Sequence, residues 1–404
     1  MHDFILREIK DTDIERELNR IGFDKSYTHK AAFKFEYKNI KIYDLTPAQA
    51  NILKQTAISV GADCATHREV ITGKIEKSNC ILGGSISEIR KVAEKLQFQP
   101  FGLKGLGEKL LSTPLSNSLP WRENRANFPL QWKREQLFTS EVSIRDAGEG
   151  SKKCKLVGIL NITDNSFSDG GLYNDYEKAK EHLLEMINDG ADIIDIGAES
   201  TKPYSSSVSA KEQLEKLLPI IDFAKDKTTI SIDTRSAVVA DECLKAGAHI
   251  INDVSGFDYD EKMVDVIAKY NCPVIIQHSK GTPEDMQDSP NYNDVVEEIF
   301  LSLREKINFA RSKGIEKIIV DPGIGFGKTR ENNFEIIRRL EEFKSLECPV
   351  MLGCSRKSFL QTQDDTYTAI FNALTIERNV DYIRVHNVKM HKNLIDLMKM
   401  FMVK

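Results

Sequence analysis

The sequence lacks any hydrophobic run approaching the roughly 18 to 20 residues that a membrane-spanning helix needs. Its opening stretch, with Asp3, Glu8, Asp11, Asp13 and Glu15, lacks the basic and apolar regions of a signal peptide. A cytoplasmic protein with no membrane partner is expected. Charge of one sign is also scarce: 56 Lys and Arg against 61 Asp and Glu leave a net charge of -5. Such a balance supplies no positive field for a phosphate backbone, so nucleic acid is not an expected partner. There is no C-x-x-C pair. Cys64, Cys80, Cys154, Cys243, Cys272, Cys348 and Cys354 are odd in number and scattered, which excludes a disulfide framework and a cysteine zinc site. They read as reduced, buried packing residues. His278 and His386 show neither H-x-x-x-H nor H-E-x-x-H spacing, which argues against a zinc hydrolase.

What is present is an ordinary folded composition, 41% hydrophobic and 29% charged over 404 residues, enough for one large domain and a smaller companion. From Leu156 onward short apolar runs alternate with helical stretches, the mark of parallel strands joined by crossover helices. Eight strands are expected, at Leu156–Asn161, Asp192–Gly197, Thr229–Asp233, His249–Asn252, Val274–His278, Lys317–Asp321, Val350–Gly353 and Tyr382–Val385. Helices between them include Tyr176–Asn188, Ala210–Ala224, Asn293–Ser312 and Phe334–Phe343, with apolar residues at three- and four-residue spacing. Residues 151–404 number 254, against about 250 for a typical (β/α)8 barrel. An open doubly wound sheet is the alternative, but no G-x-G-x-x-G follows the first strand.

Residues 1–111 read as a small α/β domain, with strands around Ala32–Tyr37, Ile40–Asp44 and Cys80–Gly83 and helices at Pro47–Val60 and Ile86–Leu96. His67, Arg68, Gly83 and Gly84 invite a ligand reading, yet surface loops and a tight turn explain them more simply. Residues 112–150, with Pro114, Pro120 and Pro129 and a Gly-Glu-Gly ending, read as a linker.

In the expected barrel, polar residues recur at the C-terminal strand ends, the face where such barrels carry their active sites. They are Asn161, Glu199-Ser200-Thr201, Asp233, Asn252-Asp253, His278, Asp321, Ser355-Arg356-Lys357 and the Arg384/His386 pair. Asp253, Thr234 and Ser255 are explained as helix caps and turn residues. Capping does not explain Asp233, Asp321, Lys357 and Arg384, because a charge at the end of a buried strand needs a partner or a ligand. His386, two residues beyond Arg384, reads as half of an anion clamp. Asp321-Pro-Gly-Ile-Gly-Phe-Gly-Lys-Thr329 fails as a nucleotide phosphate loop, since three residues rather than four separate Gly323 from Gly327. Its glycines are expected to let backbone approach a flat ligand, with Asp321 accepting from an amidine-like N–H edge.

Gly158-Ile-Leu-Asn-Ile-Thr-Asp-Asn-Ser-Phe-Ser-Asp-Gly-Gly171 resembles the opening signature of bacterial dihydropteroate synthases. Asp195-Ile-Gly-Ala-Glu-Ser-Thr-Lys-Pro203, Ser231-Ile-Asp-Thr234, Ile251-Asn-Asp253, Asp321–Lys328, Ser355-Arg-Lys-Ser358 and Arg384-Val-His386 resemble the later ones, in order. The resemblance implies a TIM barrel, and a transferase of folate biosynthesis that is a sulfonamide target. Its small-molecule substrates would be 6-hydroxymethyl-7,8-dihydropterin diphosphate and p-aminobenzoate. Carried over by position, Asp321 would hold the pterin's amino-pyrimidine edge, Asp233 and Asn252 other ring nitrogens, and Lys357 the carbonyl oxygen. Arg384 and His386 would contact the diphosphate, with Thr201 beside it and Asn161 as ligand to a Mg²⁺ cofactor. Thr201, Pro203, Phe167, Phe326 and Ser358 would surround p-aminobenzoate. A homodimer is also implied.

Several residues depart from the family pattern: Thr163-Asp164-Asn165-Ser166 lacks a proline, Lys202 stands where arginine is usual, Gln277-His278-Ser279 replaces Met-His-Met, and Asn387 replaces an aspartate. Two other readings share the pterin-recognising aspartates. One is a methyltetrahydrofolate–corrinoid methyltransferase, which has no need of the diphosphate set Asn161, Arg384 and His386. The other is a non-catalytic pterin-binding paralogue, suggested by the altered first loop.

Overall fold

The computed structural model describes residues 14–112, 154–162, 171–199, 208–280 and 291–402, and the chain divides into two units, Met1–Gln131 and Trp132–Lys404.

The first unit holds an antiparallel sheet of β1 (Tyr37–Leu45), β2 (Asp63–Thr66) and β3 (Ser78–Ser85) in the order β1-β3-β2. Helices Pro47–Ile58, Ile86–Leu96 and Leu103–Ser112 supply much of its core, where Leu53, Ile89, Leu96 and Leu103 pack with Ile42 and Leu82 of the sheet. Thr46 with Gln49 and Ser85 with Glu88 form capping boxes that fix where the first two helices begin. The strand expected at Ala32–Tyr37 is corrected: Thr28–Ala32 is a short helix, and the extended chain starts only at Tyr37. Alanines at 31 and 32 favour helix, whereas alternating burial begins with the strand itself. Four-residue β2 is too short to announce itself by periodicity. His67 caps a helical turn by accepting from the Glu69 N–H at 3.2 Å, and a methyl on Gly83 would lie 2.7 Å from Tyr37 Oη. His67 thus sits at a short helical turn, whereas Gly83 and Gly84 lie within β3 and not in a tight turn, which corrects that part of the reading.

The second unit is a parallel barrel of β4 (Lys155–Asn161), β5 (Ile193–Gly197), β6 (Thr229–Asp233), β7 (Ile250–Asp253), β8 (Val274–Gln277), β9 (Ile318–Asp321), β10 (Met351–Leu352) and β11 (Tyr382–Val385). The order is β10-β11-β4-β5-β6-β7-β8-β9, and a parallel bridge between Val320 and Val350 joins the two ends. All eight strands lie where the apolar runs put them. The single helix expected at Phe334–Phe343 is instead Arg330–Arg338 followed by a tighter turn, Leu340–Leu346. The break is at Arg339, whose guanidinium reaches Asp294 at 3.0 Å and Glu342 at 2.6 Å while its backbone leaves the helical region.

Alternation along the strands sorts their residues into two cores. Leu156, Leu160, Ile194, Ile196, Ile230, Ile232, Ile276, Val320 and Ile383 pack with helix residues such as Leu183, Leu217 and Leu303. Val157, Ile193, Ile250, Ile275, Ile319, Met351 and Tyr382 form a separate cluster inside the barrel. That inner cluster plugs the lower barrel, so a ligand can enter only at the other end. All seven cysteines are buried and free, as expected.

Candidate active site

Above the apolar plug, at two or four residues along each strand, inward-facing positions turn polar on most strands. Parallel register aligns Asn161 with Gly197, Gly197 with Asp233, and Asp233 with Asn252, so these four occupy one rung. Gly197 keeps the rung open: a methyl there would stand 3.5 Å from Asp233 Cβ and 3.6 Å from Asn161 Oδ1. Across the barrel Asp321 pairs with Gln277 at the ends of β9 and β8. The barrel therefore brings Asn161, Asp233, Asn252 and Asp321 to one mouth.

Arg384 holds the acidic side together. Its Nε donates to Asp195 Oδ2 and its Nη2 to Asp233 Oδ2, both at 2.6 Å, and Asn252 Nδ2 donates to the same Asp195 oxygen at 3.0 Å. Burial opposes the guanidinium charge, but Asp195 and Asp233 outweigh it and raise the Arg384 pKa. Burial also lifts Asp233 to about 7, with Arg384 pulling the other way and Asp195 pushing with it. Asp195 went unrecognised in the sequence as a site residue; its only signal was a carboxylate two residues before the end of an otherwise apolar strand. Arg384 is thereby engaged by a carboxylate pair, and two residues on, His386 Nδ1 lies 2.9 Å from Ser355 Oγ.

The polar atoms left over define what the mouth can bind. Asp195 Oδ1, Ser231 Oγ, Asp233 Oδ1 and Asn252 Oδ1 are buried without a hydrogen-bond partner among the described residues. Leaving such groups unpaired costs about 1–3 kcal/mol each, and they persist where a ligand completes them. Because the Asn252 amide nitrogen is committed to a carboxylate, that residue offers its oxygen. The vacant set is thus rich in acceptors and suits a flat ligand with several N–H donors.

The turn Gly323–Gly327 forms the opposite wall. Asp321 Oδ1 accepts from the Gly323 N–H at 2.7 Å, and Lys357 Nζ donates to the Ile324 carbonyl while lying 4.3 Å from the Phe326 ring centroid. Burial raises the Asp321 pKa against the pull of Lys357, and burial lowers Lys357 to about 8 against the pull of Asp321. The expected role of the glycines is corrected here. A methyl on Gly323 would lie 1.9 Å from the His278 carbonyl oxygen and one on Gly327 2.3 Å from that of Lys280, with φ of 72° and 61°. They admit the neighbouring loop's backbone, not a ligand.

Phe326 is half-buried, and Ser358 is exposed at the start of a short helical turn, Ser358–Leu360. Phe167, Thr201 and Pro203 lie outside the described residues, as do the first-loop departures and Lys202. The flanks of the second loop are described: Glu199 accepts from the Val208 N–H at 3.3 Å and from Arg235 Nη2 at 3.1 Å, which draws its two ends together. Asp253 accepts from Ser255 and Phe257 N–H groups at 2.9 and 2.8 Å, the turn role expected of it. Asn387 hydrogen-bonds Asp365 and also accepts from the Met390 N–H at 3.1 Å, a double task that an aspartate beside Asp365 would perform badly.

Residues 157–386 match the pterin binding enzyme family. The chain is 42% identical over 247 residues to a dihydropteroate synthase of Clostridium beijerinckii, 58% of this chain and 88% of that one. It is 33% identical over 359 residues to a probable bifunctional folylpolyglutamate synthase/dihydropteroate synthase of Haloferax volcanii, 84% of this chain but 40% of the relative. The chain thus spans about 40% of that larger relative, and a match over 84% of its own length reaches beyond the barrel into the first unit. Among solved structures, a Clostridium difficile dihydropteroate synthase in the presence of pteroic acid superposes with a TM-score of 0.59 at 39% identity, covering 64% of this chain and all of that one. A Yersinia pestis dihydropteroate synthase with a sulfonamide drug complex gives 0.59 at 33% identity, covering 62% and 94%.

Proposed function

The chain belongs to the dihydropteroate synthases of the pterin-binding barrel family, and on that premise we propose that it joins 6-hydroxymethyl-7,8-dihydropterin diphosphate to p-aminobenzoate. The products are 7,8-dihydropteroate and pyrophosphate. The observation that carries this reading is the set of buried acceptors on Asp233, Asn252 and Asp195, unpaired among the described residues and framed by Asp321 and Lys357. A pterin presents ring N–H and amino donors with a carbonyl oxygen beside them, and only acceptors flanked by a cation complement that edge.

In this reading Asp321 accepts from the amino-pyrimidine edge, Asn252 and Asp233 accept from the remaining ring donors, and Lys357 donates to the carbonyl. The pterin C–O bond breaks first, its electron pair leaving with pyrophosphate. The carboxylates favour the electron-poor pterin methylene that remains. The aniline nitrogen of p-aminobenzoate then forms the C–N bond and releases a proton. No protein nucleophile takes part. His386 and Arg384 neutralise charge growing on the pyrophosphate, and Phe326 and Ser358 border the p-aminobenzoate.

Mg²⁺ fits as part of this proposal. Among the described residues no group of three or more His, Cys, Asp or Glu could hold a metal ion. Asn161, exposed at the end of β4 beside Asp233, offers one neutral oxygen. A single protein oxygen suits an ion held chiefly by diphosphate and water, where it would offset leaving-group charge. Self-association is supported by exposed Tyr367, Ile370 and Leu374 on one C-terminal helix and Leu397, Met400 and Phe401 on the next. Among the described residues no helix is long and apolar enough to cross a membrane.

The deciding experiment supplies the purified chain with dihydropterin diphosphate, p-aminobenzoate and Mg²⁺, and follows pyrophosphate and dihydropteroate together. Joint, Mg²⁺-dependent appearance is expected; tight pterin binding with neither product would favour the non-catalytic reading.

A further inference from the structure

The reaction leaves one buried lysine without a task. Lys328, only 3% exposed, follows the glycine turn and was read in the sequence merely as the end of a motif. Its Nζ donates to the carbonyl of Phe326 at 2.9 Å and to that of His278 at 3.3 Å, and lies 3.1 Å from His278 Nδ1. One side chain thus ties the loop after β8 to the loop after β9. Burial drives its amine well below the usual lysine range despite the pull of Asp321, so such a group is retained at a cost.

The turn it grips is rich in glycine. Gly323, Gly325 and Gly327 all have positive φ, at 72°, 81° and 61°, and glycines lose more conformational freedom on ordering than any other residue. The ties that fix the turn include the Gly323 N–H to Asp321, the Gly325 N–H to Asn333, the Phe326 N–H to the Gly323 carbonyl, the Ile324 carbonyl to Lys357, the Phe326 carbonyl to Lys328 and the Gly327 carbonyl to the Tyr292 hydroxyl. At Phe326 itself the N–H donates within the turn, to the Gly323 carbonyl at 3.1 Å, while Lys328 is the side chain that holds its carbonyl, and its ring faces the Lys357 ammonium. Lys328 and Ser358 also border one cavity of about 270 Å³.

We propose that Lys328 is a positioning residue that acts through the Phe326 backbone, holding the Phe326 ring where it forms the wall of the p-aminobenzoate site. The proposal rests on the synthase reading. Its test is steady-state kinetics of Lys328→Met, which keeps the side chain's length and removes its donors, beside direct binding of dihydropterin diphosphate. The KM for p-aminobenzoate rises roughly ten- to a hundredfold, as expected for a misplaced binding wall, while dihydropterin diphosphate affinity stays within about twofold, since the strand-end acceptors are untouched. In a Phe326→Ala background the same substitution changes that KM by less than about twofold, because the group it acts through is gone. Lys328→Gln, which retains an amide donor, gives an intermediate KM and carries the test if the Met variant does not fold. Independent effects of the two substitutions, or a parallel rise of both substrates' constants with a fall in melting temperature, would overturn the positioning role. Absence of product from the unsubstituted chain would instead overturn the synthase reading.

Discussion

Ile319 and Asp321 stand two residues apart on β9, face the same barrel interior and are both buried, at 0% and 2% exposure. Ile319 belongs to an inner cluster with no polar atom but one tyrosine hydroxyl. Asp321 belongs to a layer of carboxylates, cations and amides, four of whose polar atoms lack partners among the described residues. One layer is apolar and packed, while the other presents acceptors that suit a ligand rich in N–H donors. The lesson is that stability and recognition are stacked along the same strands, separated by a single side-chain repeat.

That separation can be broken from either side. Asp321→Ala should have the largest effect, lowering dihydropterin affinity by about 10²–10⁴ because the ligand's donors lose their acceptor on entering the barrel. Calorimetric titration checks it. Ile319→Ala should do the reverse, costing about 2–5 kcal/mol of unfolding free energy through the cavity it leaves. Denaturant unfolding measures this, and the KM values of the folded variant should match those of the parent.

Acidity sharpens the contrast further. Asp233, lifted to about 7, loses its charge as pH falls through neutrality, and Lys357, lowered to about 8, loses its charge as pH rises. Both are charged together only between these values, so kcat/KM for dihydropterin diphosphate should trace a narrow bell there, falling up to about tenfold per pH unit outside it. Asp233→Asn should flatten the acid limb; an unchanged limb would assign it to another group. The smallest effect is expected from Ser231→Ala. Its buried hydroxyl has no partner among the described residues, so removal should leave stability unchanged or raise it by up to about 1 kcal/mol in chemical denaturation.

Much of this was legible in the chain. Parallel strands buried on both faces read as short apolar runs, and the polar residue ending each run marks the mouth of the barrel. Asn161, Asp233, Asn252 and Asp321 were found that way. Asp195 was missed because it sits inside a run rather than at its end, and Lys328 because a motif's last residue carries no sign of burial. The short strand Asp63–Thr66 and the helix break at Arg339 escaped for a related reason, since neither alters the local hydrophobic period.

By itself the sequence determined the strand–helix alternation, the eight strands and the kinds of group at their ends, because these depend on local periodicity and chemistry. Partner choice was decided only by the tertiary structure. Arg384 and Asp195 are 189 residues apart, and a closed barrel is what sets them 2.6 Å apart. The same closure set Gly323 and Gly327 of the β9 loop against the backbone of His278 and Lys280 and left four buried oxygens at one mouth unpaired among the described residues. Such outcomes follow from register and barrel closure, which join residues with no local relation in the chain.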